Sequence, residues 1–181
     1  MRAPAGRSPR ALEGMYVVRL TPEDWRSYAE LRVGMLTDAP DAFWTTLAEV
    51  QERTEEEWRR SSNGHTLQAR DAGGRPVGTV TVLTPEVPPH VGLLPGAGDA
   101  LVLAVYVIPD ARGRGVVDAL LEAARALARD VLGADRLVLQ VTETNVAALR
   151  VYERHGYALT GHSLPHPRQP GVRDLEMARP V

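Results

Sequence analysis

The sequence predicts a single α/β domain with a mixed central sheet of about six to seven strands, flanked by about four helices. Three observations lead to this fold class. The length of 181 residues suits one domain with its own core. Segments typical of strands and of amphipathic helices follow one another in the order βααβββαβαββ. Because hairpin-linked strands interrupt the alternation in the middle, a regular doubly wound parallel sheet is excluded.

Composition narrows the possible functions. The chain is 44% hydrophobic and 24% charged, which is ordinary for a globular protein. Its 21 basic and 23 acidic residues give a net charge of −2, so general nucleic-acid binding is disfavoured. The absence of cysteine excludes disulfides, thiolate metal sites and a cysteine nucleophile. No apolar run approaches the roughly 20 residues that span a bilayer, and we expect no membrane partner.

The first fourteen residues differ from the rest of the chain. They are rich in arginine and lack an apolar segment, so they do not resemble a secretory signal. We therefore expect residues 1–14 to form a disordered tail ahead of a domain covering 15–181, and we expect a cytoplasmic location.

The first half of the domain begins with a strand over 15–20. Thr21 and Pro22 suit a helix start, and apolar residues follow at helical spacing until the sequence 38–41 breaks the helix. A charged helical segment comes next, in which Thr54 to Glu57 reads as a capping box. Strands over 66–70 and 77–83 are then predicted around a glycine-containing turn.

The second half alternates strands and helices. A long loop rich in proline and glycine, 84–98, precedes it, and a second Pro-rich loop is expected at 163–171. The predicted elements are a strand over 101–107, a helix over 116–132, a strand over 137–142, a helix over 145–155, and strands over 157–160 and 172–177.

The turn between strand 101–107 and helix 116–132 carries the most chemical information. It contains two glycines and two arginines immediately before the helix begins. Backbone N–H groups at a helix start have no helical acceptor, and the helix dipole adds partial positive charge there. Glycines allow the backbone to approach a ligand closely, and arginines add positive charge. Together these features predict an anion site of the kind that binds phosphate.

A second block, Asn145 to Tyr157, stands one strand further along. Together, the two blocks resemble the GNAT N-acetyltransferase superfamily. In the first block Arg112, Gly115 and Val117 fall at the family's motif positions, although the family prefers a small residue where Val117 stands. In the second, the family's pattern is matched by Asn145, Ala148, Tyr152, Gly156 and Tyr157.

The resemblance implies that the cofactor is acetyl-CoA, with no metal. Strand residues Val105, Tyr106 and Val107 would offer backbone groups to the pantetheine arm and the thioester. In the family this strand often carries a bulge and splays from its neighbour. The pyrophosphate would be bound by the turn and its arginines, namely Arg112, Gly113, Arg114, Gly115, Val116, Val117 and Asp118. For Arg112 and Arg114 a solvated surface role is the alternative. Asn145 would bind pantetheine, cap its helix, or both.

The resemblance assigns Tyr152 as the general acid that protonates the departing thiolate. The alternative is an aromatic residue on the buried face of a short helix. Many family members carry a glutamate base where this chain has Gln140, which cannot act as a base. Glu143, Asp99 and a water relay all stay open, and we assign no base.

Phe43 and Trp44 stand between the first two helices, where the family shapes its acceptor pocket. Substrate contact and sealing of a core edge are equally compatible with this position. His162 and His166 flank prolines without a carboxylate at ligand spacing, so we expect no metal site.

The resemblance implies an acetyl-CoA-dependent N-acetyltransferase that uses direct attack by an amine in a ternary complex. The acceptor would be a small molecule or a peptide, and a homodimer is compatible with the family. The main alternative is a weakly catalytic or non-catalytic acyl-CoA-binding module, which Val117 and Gln140 favour. A nucleotide-binding domain of unrelated fold is a weaker alternative.

Overall fold

A computed structural model describes residues 14–62, 64–84 and 96–181. The expected disordered tail, apart from Gly14, and most of the expected loop 84–98 lie outside these residues. The described part forms one seven-stranded sheet with five helices. No helix among these residues is both long and apolar enough to cross a bilayer.

The elements follow the predicted order with one additional helix. Short 3-10 turns at Pro22–Asp24, Pro40–Ala42 and Pro109–Ala111 connect some of them. The strands and helices are β1 (Tyr16–Arg19), α1 (Trp25–Asp38), α2 (Leu47–Gln51), α3 (Glu55–Ser61), β2 (Thr66–Arg70), β3 (Pro76–Leu83), β4 (Asp99–Val107), α4 (Val116–Asp130), β5 (Arg136–Thr142), α5 (Val146–Arg154), β6 (Ala158–Pro165) and β7 (Arg173–Pro180).

The charged segment after Trp44 forms two helices where the sequence predicted one. Each helix has its own capping box, which satisfies the N–H groups of its first turn. Thr54 and Glu57 cap α3 as predicted, with the Thr54 N–H donating to Glu57 at 2.7 Å. Thr46 and Glu49 form the second box at the start of α2.

Strand β6 is longer than predicted. The prolines around 165 suggested a loop from residue 163, but the strand continues to Pro165 and pairs with β7. Because β6 lies at the edge of the sheet, one side of it needs no ladder hydrogen bonds, and an edge strand tolerates proline.

The strand order is β1-β2-β3-β4-β5-β7-β6, and β4 and β5 form the parallel pair of the described sheet. Their ladder covers only four residue pairs, from Asp99–Arg136 to Val102–Leu139. Beyond these pairs β4 continues alongside β3 to Val107, and β5 alongside β7 to Thr142. The two central strands therefore diverge, as the family resemblance implied.

Strand β4 also contains the implied bulge. Thr79 pairs with Tyr106 and Thr81 with Leu103, so the single β3 residue between them faces two residues of β4. One of these two, Ala104, has φ of 53°, in the left-handed region that residues other than glycine rarely adopt. The bulge lies where β4 leaves β5.

The sheet is covered on both faces. On one face α4 and α5 enclose an apolar core built around Val80, Val102, Leu120 and Leu139. On the other face α1, α2 and α3 enclose a second core, which contains Leu31, Met35, Trp58 and Tyr106. Burial on both faces explains why β4 reads as a continuous apolar run.

Candidate active site

The predicted anion site lies at the start of α4. Gly113 and Gly115 both adopt left-handed backbone conformations, with φ of 71° and 80°. Gly115 is the residue that caps α4, and among the described residues no side chain caps this helix start. A Cβ added to Gly113 would meet no described atom within 4 Å. The turn therefore presents accessible backbone at the positive end of a fifteen-residue helix.

The two arginines of the turn differ in their surroundings. The Arg112 guanidinium forms an ion pair with Asp38 and donates to the Val107 carbonyl at 3.0 Å. It also lies 5.8 Å from the centre of the Tyr106 ring. Arg112 thus connects the end of α1 to the end of β4. Arg114 is exposed and makes no hydrogen bond or ion pair with another described residue.

The three residues that follow the turn belong to the packing of α4. Val116 is buried, and Val117 is partly buried against the core between the sheet and α4. The Asp118 carboxylate accepts hydrogen bonds from Arg154 and His155 of α5, both at 2.7 Å. Burial works to raise the pKa of Asp118, but these two hydrogen bonds lower it overall. Asp118 therefore holds α5 against α4.

A cavity of about 570 Å³ opens where β4 and β5 diverge, and its size is typical of a site for a small ligand. The bulge at Ala104 and Val105 forms one wall, and Gln140 to Thr142 of β5 form another. Helix α1 and the segment 42–45 close the opposite side.

Two residues of the second motif line this cavity. Asn145 caps α5, because its side-chain oxygen accepts a hydrogen bond from the Ala148 N–H at 3.1 Å, as predicted. Tyr152 also reaches the cavity and packs edge-to-face on Tyr157, with 5.7 Å between ring centres. Desolvation by burial raises the pKa of Tyr152 well above its usual value. Its phenol is therefore protonated at neutral pH, which is the form that an acid requires.

The structure brings Val105, Asn145, Tyr152, Phe43 and Trp44 together around this one cavity. Tyr106 instead faces the core beneath α1 to α3. The residues of the predicted pyrophosphate turn lie outside the cavity lining, at the adjoining start of α4.

The two carboxylates left open as general bases, Asp99 and Glu143, both lie away from the cavity. Asp99 forms a bidentate ion pair with Arg136 at 2.8 and 2.9 Å, at the opposite end of β4 from the bulge. Glu143 is exposed and accepts a hydrogen bond from the Arg173 N–H at 2.9 Å. Asp99 is buried at 8% exposure and neither carboxylate lines the cavity, so neither is positioned to act as a base on an amine bound there.

Comparison with protein families identifies the family of this chain. The model of the Acetyltransferase (GNAT) family matches residues 28–157, which include both motif blocks and most of the cavity lining. The chain belongs to the GNAT acetyltransferase family.

Other GNAT proteins agree with this assignment. The mycothiol acetyltransferase of Salinispora tropica is 33% identical over 135 residues, which are 73% of this chain and 40% of that protein. The chain therefore spans less than half the length of this curated relative. A GCN5-related N-acetyltransferase from Kribbella flavida has the same fold, with 26% identity, a TM-score of 0.70, and coverage of 93% of this chain and 99% of that one.

A second similar structure is that of yncA, an acetyltransferase by description, from Salmonella typhimurium, solved with its cofactor acetyl-CoA. It is 16% identical, with a TM-score of 0.70 and coverage of 92% of this chain and 94% of that one. This likeness concerns the fold alone.

Sequence reasoning missed two charged residues of this GNAT cavity. Asp174 on β7 is 1% exposed and accepts a hydrogen bond from the Trp44 indole N–H at 2.5 Å. The predicted strand 172–177 alternated acidic and apolar residues, a pattern typical of one solvated face, so it gave no indication that Asp174 is buried.

Arg32 on α1 is the second missed residue, and it is 9% exposed. It lies at helical spacing from Tyr28 and Met35, on the apolar side of the helix. An arginine in the apolar stripe of an amphipathic helix is the signal by which the sequence could have revealed it.

Proposed function

We propose that this GNAT domain is an acetyl-CoA-dependent N-acetyltransferase, in which an amine attacks the acetyl thioester directly within a ternary complex. One observation carries the proposal. The Tyr152 side chain lines the same cavity as the bulge of β4, where the resemblance puts the thioester. Family membership and the curated acetyltransferase relative support it.

The start of α4 fits the pyrophosphate of coenzyme A. Its backbone N–H groups lack a capping side chain among the described residues, and the open space at Gly113 leaves room for phosphate oxygens. We propose that Gly113 to Asp118 bind the pyrophosphate mainly through the backbone, with Arg114 adding charge. Because Val117 packs against the core, we propose that it is tolerated in the turn. Arg112 contributes by holding the end of β4 to α1.

The adjoining strand and helix would hold the rest of the co-substrate. We propose that β4 offers backbone groups of Val105 to Val107 to the pantetheine arm, since the ladder with β5 has ended there. Asn145 would add a hydrogen bond from the amide nitrogen of its side chain, because the side-chain oxygen already caps α5. The acetyl group would then lie in the cavity beside Tyr152.

The chemical step needs one bond formed and one broken. The amine nitrogen bonds to the acetyl carbonyl carbon, the carbon–sulfur bond breaks, and the proton that the amine loses passes to water. The Tyr152 phenol gives its proton to the leaving thiolate, whose conjugate acid has a pKa of about 8.5. Solvent then reprotonates the Tyr152 phenolate. A phenol with a raised pKa is a weaker acid, so the transfer must be coupled to breaking of the carbon–sulfur bond.

The acceptor class is an amine on a small molecule or a peptide. The curated relative is a mycothiol acetyltransferase, and this chain spans less than half of its length. A cytoplasmic location and a homodimer stay predictions from the sequence.

The test is thiol release from acetyl-CoA across a panel of amines, together with the melting temperature of the protein with and without coenzyme A. We expect acceptor-dependent release and a raised melting temperature. If coenzyme A raises the melting temperature but no amine releases thiol, the domain is instead the acyl-CoA-binding module that Gln140 favours. If millimolar coenzyme A does not raise the melting temperature, both the transferase and the acyl-CoA-binding module are overturned.

A further inference from the structure

The acceptor cavity contains a buried carboxylate with a free oxygen. Asp174 lies on β7 directly opposite Thr142 of β5, and both residues line the cavity. The Asp174 Oδ2 atom accepts the hydrogen bond from Trp44. Its Oδ1 atom is buried and has no hydrogen-bond partner among the residues that the structure describes. A buried carboxylate oxygen is costly unless a donor reaches it.

The same cavity contains a buried guanidinium. Arg32 reaches the lining from α1, and its Nε atom is buried without a partner in the described part of the chain. Its other recorded contacts are weak, at 3.5 Å to the Met35 sulfur, 3.4 Å to the Thr45 hydroxyl and 5.9 Å from the guanidinium carbon to the Phe43 ring centre. None of these contacts is with a carboxylate, so the charge of Arg32 is left uncompensated by its recorded partners.

The surrounding charges do not compensate Arg32 either. Arg53 also lines the cavity and adds like charge near Arg32, besides packing 5.0 Å from the Trp58 ring centre. Arg60, on the same lining, pairs with Glu56 at 3.5 Å. The lining carboxylate of Glu57 caps its own helix by accepting hydrogen bonds from Thr54.

The carboxylate and the guanidinium are anchored to neighbouring residues. Trp44 donates to Asp174, and Thr45 accepts from Arg32, so the two charged groups converge on consecutive positions of one segment. Both charged residues also line the same cavity, so a small molecule bound in it can contact both.

Building on the proposed transferase activity, we infer that the acceptor is an amine that also carries a negatively charged group. Asp174 Oδ1 accepts a hydrogen bond from the attacking amine, and Arg32 binds the anion. A guanidinium offers parallel N–H donors that match a carboxylate or a phosphate. The shared chemistry is therefore an amino acid or another amine with a nearby anionic oxygen group.

The test compares acceptors in matched sets. Each set contains an amino acid, its carboxamide, the corresponding amine without the acid group, and its aminophosphonate, all assayed by thiol release at saturating acetyl-CoA. We expect kcat/KM for the best anionic member to exceed that of the carboxamide by about 10- to 100-fold, the range for a hydrogen bond to a charged group. The amino acid and the aminophosphonate distinguish a carboxylate site from a phosphate site.

Variants assign this preference to Arg32. Arg32→Gln should remove it by lowering kcat/KM for the anionic acceptor alone, with KM for acetyl-CoA unchanged. Arg32→Lys keeps the charge and should retain part of the preference. Arg26→Gln is the matched control, because Arg26 is an exposed arginine of the same helix that lies over the Trp25 ring, outside the cavity lining. If Arg32→Gln fails to fold, Arg32→Lys makes the test, since lysine lacks the parallel N–H donors and should lower kcat/KM for the anionic acceptor more than for the carboxamide.

The outcomes separate this inference from the transferase proposal. If an active enzyme has equal kcat/KM for the amino acid and its carboxamide, the inference is overturned and the transferase proposal stands. The same holds if Arg32→Gln lowers kcat/KM equally for the two acceptors. If no amine releases thiol, the same matched sets are compared by melting temperature in the presence of coenzyme A. Stabilisation by anionic members only would support the anion site without catalysis, and no difference within a set would overturn it.

Discussion

The indole N–H of Trp44 donates a hydrogen bond to Asp174 across 130 residues of the chain, at 2.5 Å. It joins the segment after α1 to the start of β7 and orients a carboxylate that is 1% exposed. Because this bond occupies Oδ2, the other oxygen of Asp174 is left for a ligand. The sequence left substrate contact and sealing of a core edge open for Trp44, and the structure shows that it lines the cavity and binds Asp174 there.

Trp44→Phe should therefore weaken both the fold and the acceptor site. It leaves a buried carboxylate oxygen without its donor, which costs about 1–3 kcal/mol of the free energy of unfolding. We expect KM for the acceptor to rise several-fold while KM for acetyl-CoA stays the same. Trp25→Phe is the control, since the Trp25 indole N–H is buried with no partner among the described residues. Equal effects of the two substitutions would show that only ring volume matters.

Tyr152→Phe should lower turnover by about 100-fold or more, because it removes the proton donor for the thiolate. The affinity for acetyl-CoA, measured by calorimetry, should change little. Tyr157→Phe is matched to it, since the two rings pack together and the Tyr157 hydroxyl is buried without a described partner. That control should keep its turnover. Unchanged turnover in Tyr152→Phe would remove this residue from the acid role.

Stability should fall at alkaline pH. Burial raises the pKa of Tyr106, Tyr152 and Tyr157, with Asp38 adding to the effect at Tyr106. Above pH 10 the phenols ionise in the unfolded chain while they stay protonated in the folded one, so the unfolded state binds fewer protons. The free energy of unfolding is then unaffected by these groups below about pH 10 and decreases above it.

The measurement is the denaturant midpoint between about pH 8 and 11. The sequence contains no lysine and no cysteine, so tyrosine is the side chain that titrates in this range. The decrease should become shallower in Tyr157→Phe. A midpoint that does not change up to pH 11 would contradict burial of these phenols.

Gly115→Glu should abolish the rise in melting temperature that coenzyme A causes, because it adds negative charge at the helix start. Glutamate at position 115 also strains the backbone, because φ is positive there, so the control variant must introduce the same strain. Gly133→Glu does so, since Gly133 follows the other end of α4 with φ of 63° and open space around it. It should keep the coenzyme A shift. Loss of the shift in both variants would indicate damage to the helix.

The sequence predicted those parts of the fold that depend on neighbouring residues. The glycine turn, the Asn145 cap and the Thr54 capping box each rest on contacts within a few positions. The capping box at Thr46 has the same local basis and could have been recognised, which would have divided the helical segment correctly.

The buried charges of the cavity could not be predicted in the same way. Asp174 occupies a strand position that would be solvated if no other segment covered it. Only the approach of Trp44, from the other half of the chain, converts this position into a buried site. Arg32 was visible as an arginine in an apolar stripe, but its position beside an open cavity depends on the divergence of β4 and β5.

The extra residue in β4 changes the alternation of the strand. Ala100 and Val102 face the core beneath α4, and after the bulge that side is taken by Val105 and Val107. The even-numbered Ala104 and Tyr106 turn to the opposite core. Removing Ala104 would restore strict alternation and leave Val105 and Val107 on the same side of the sheet as Ala100 and Val102. A deletion of Ala104 should therefore remove the bulge and keep both cores, whereas one more residue inserted here would exchange the two faces from Val105 onward.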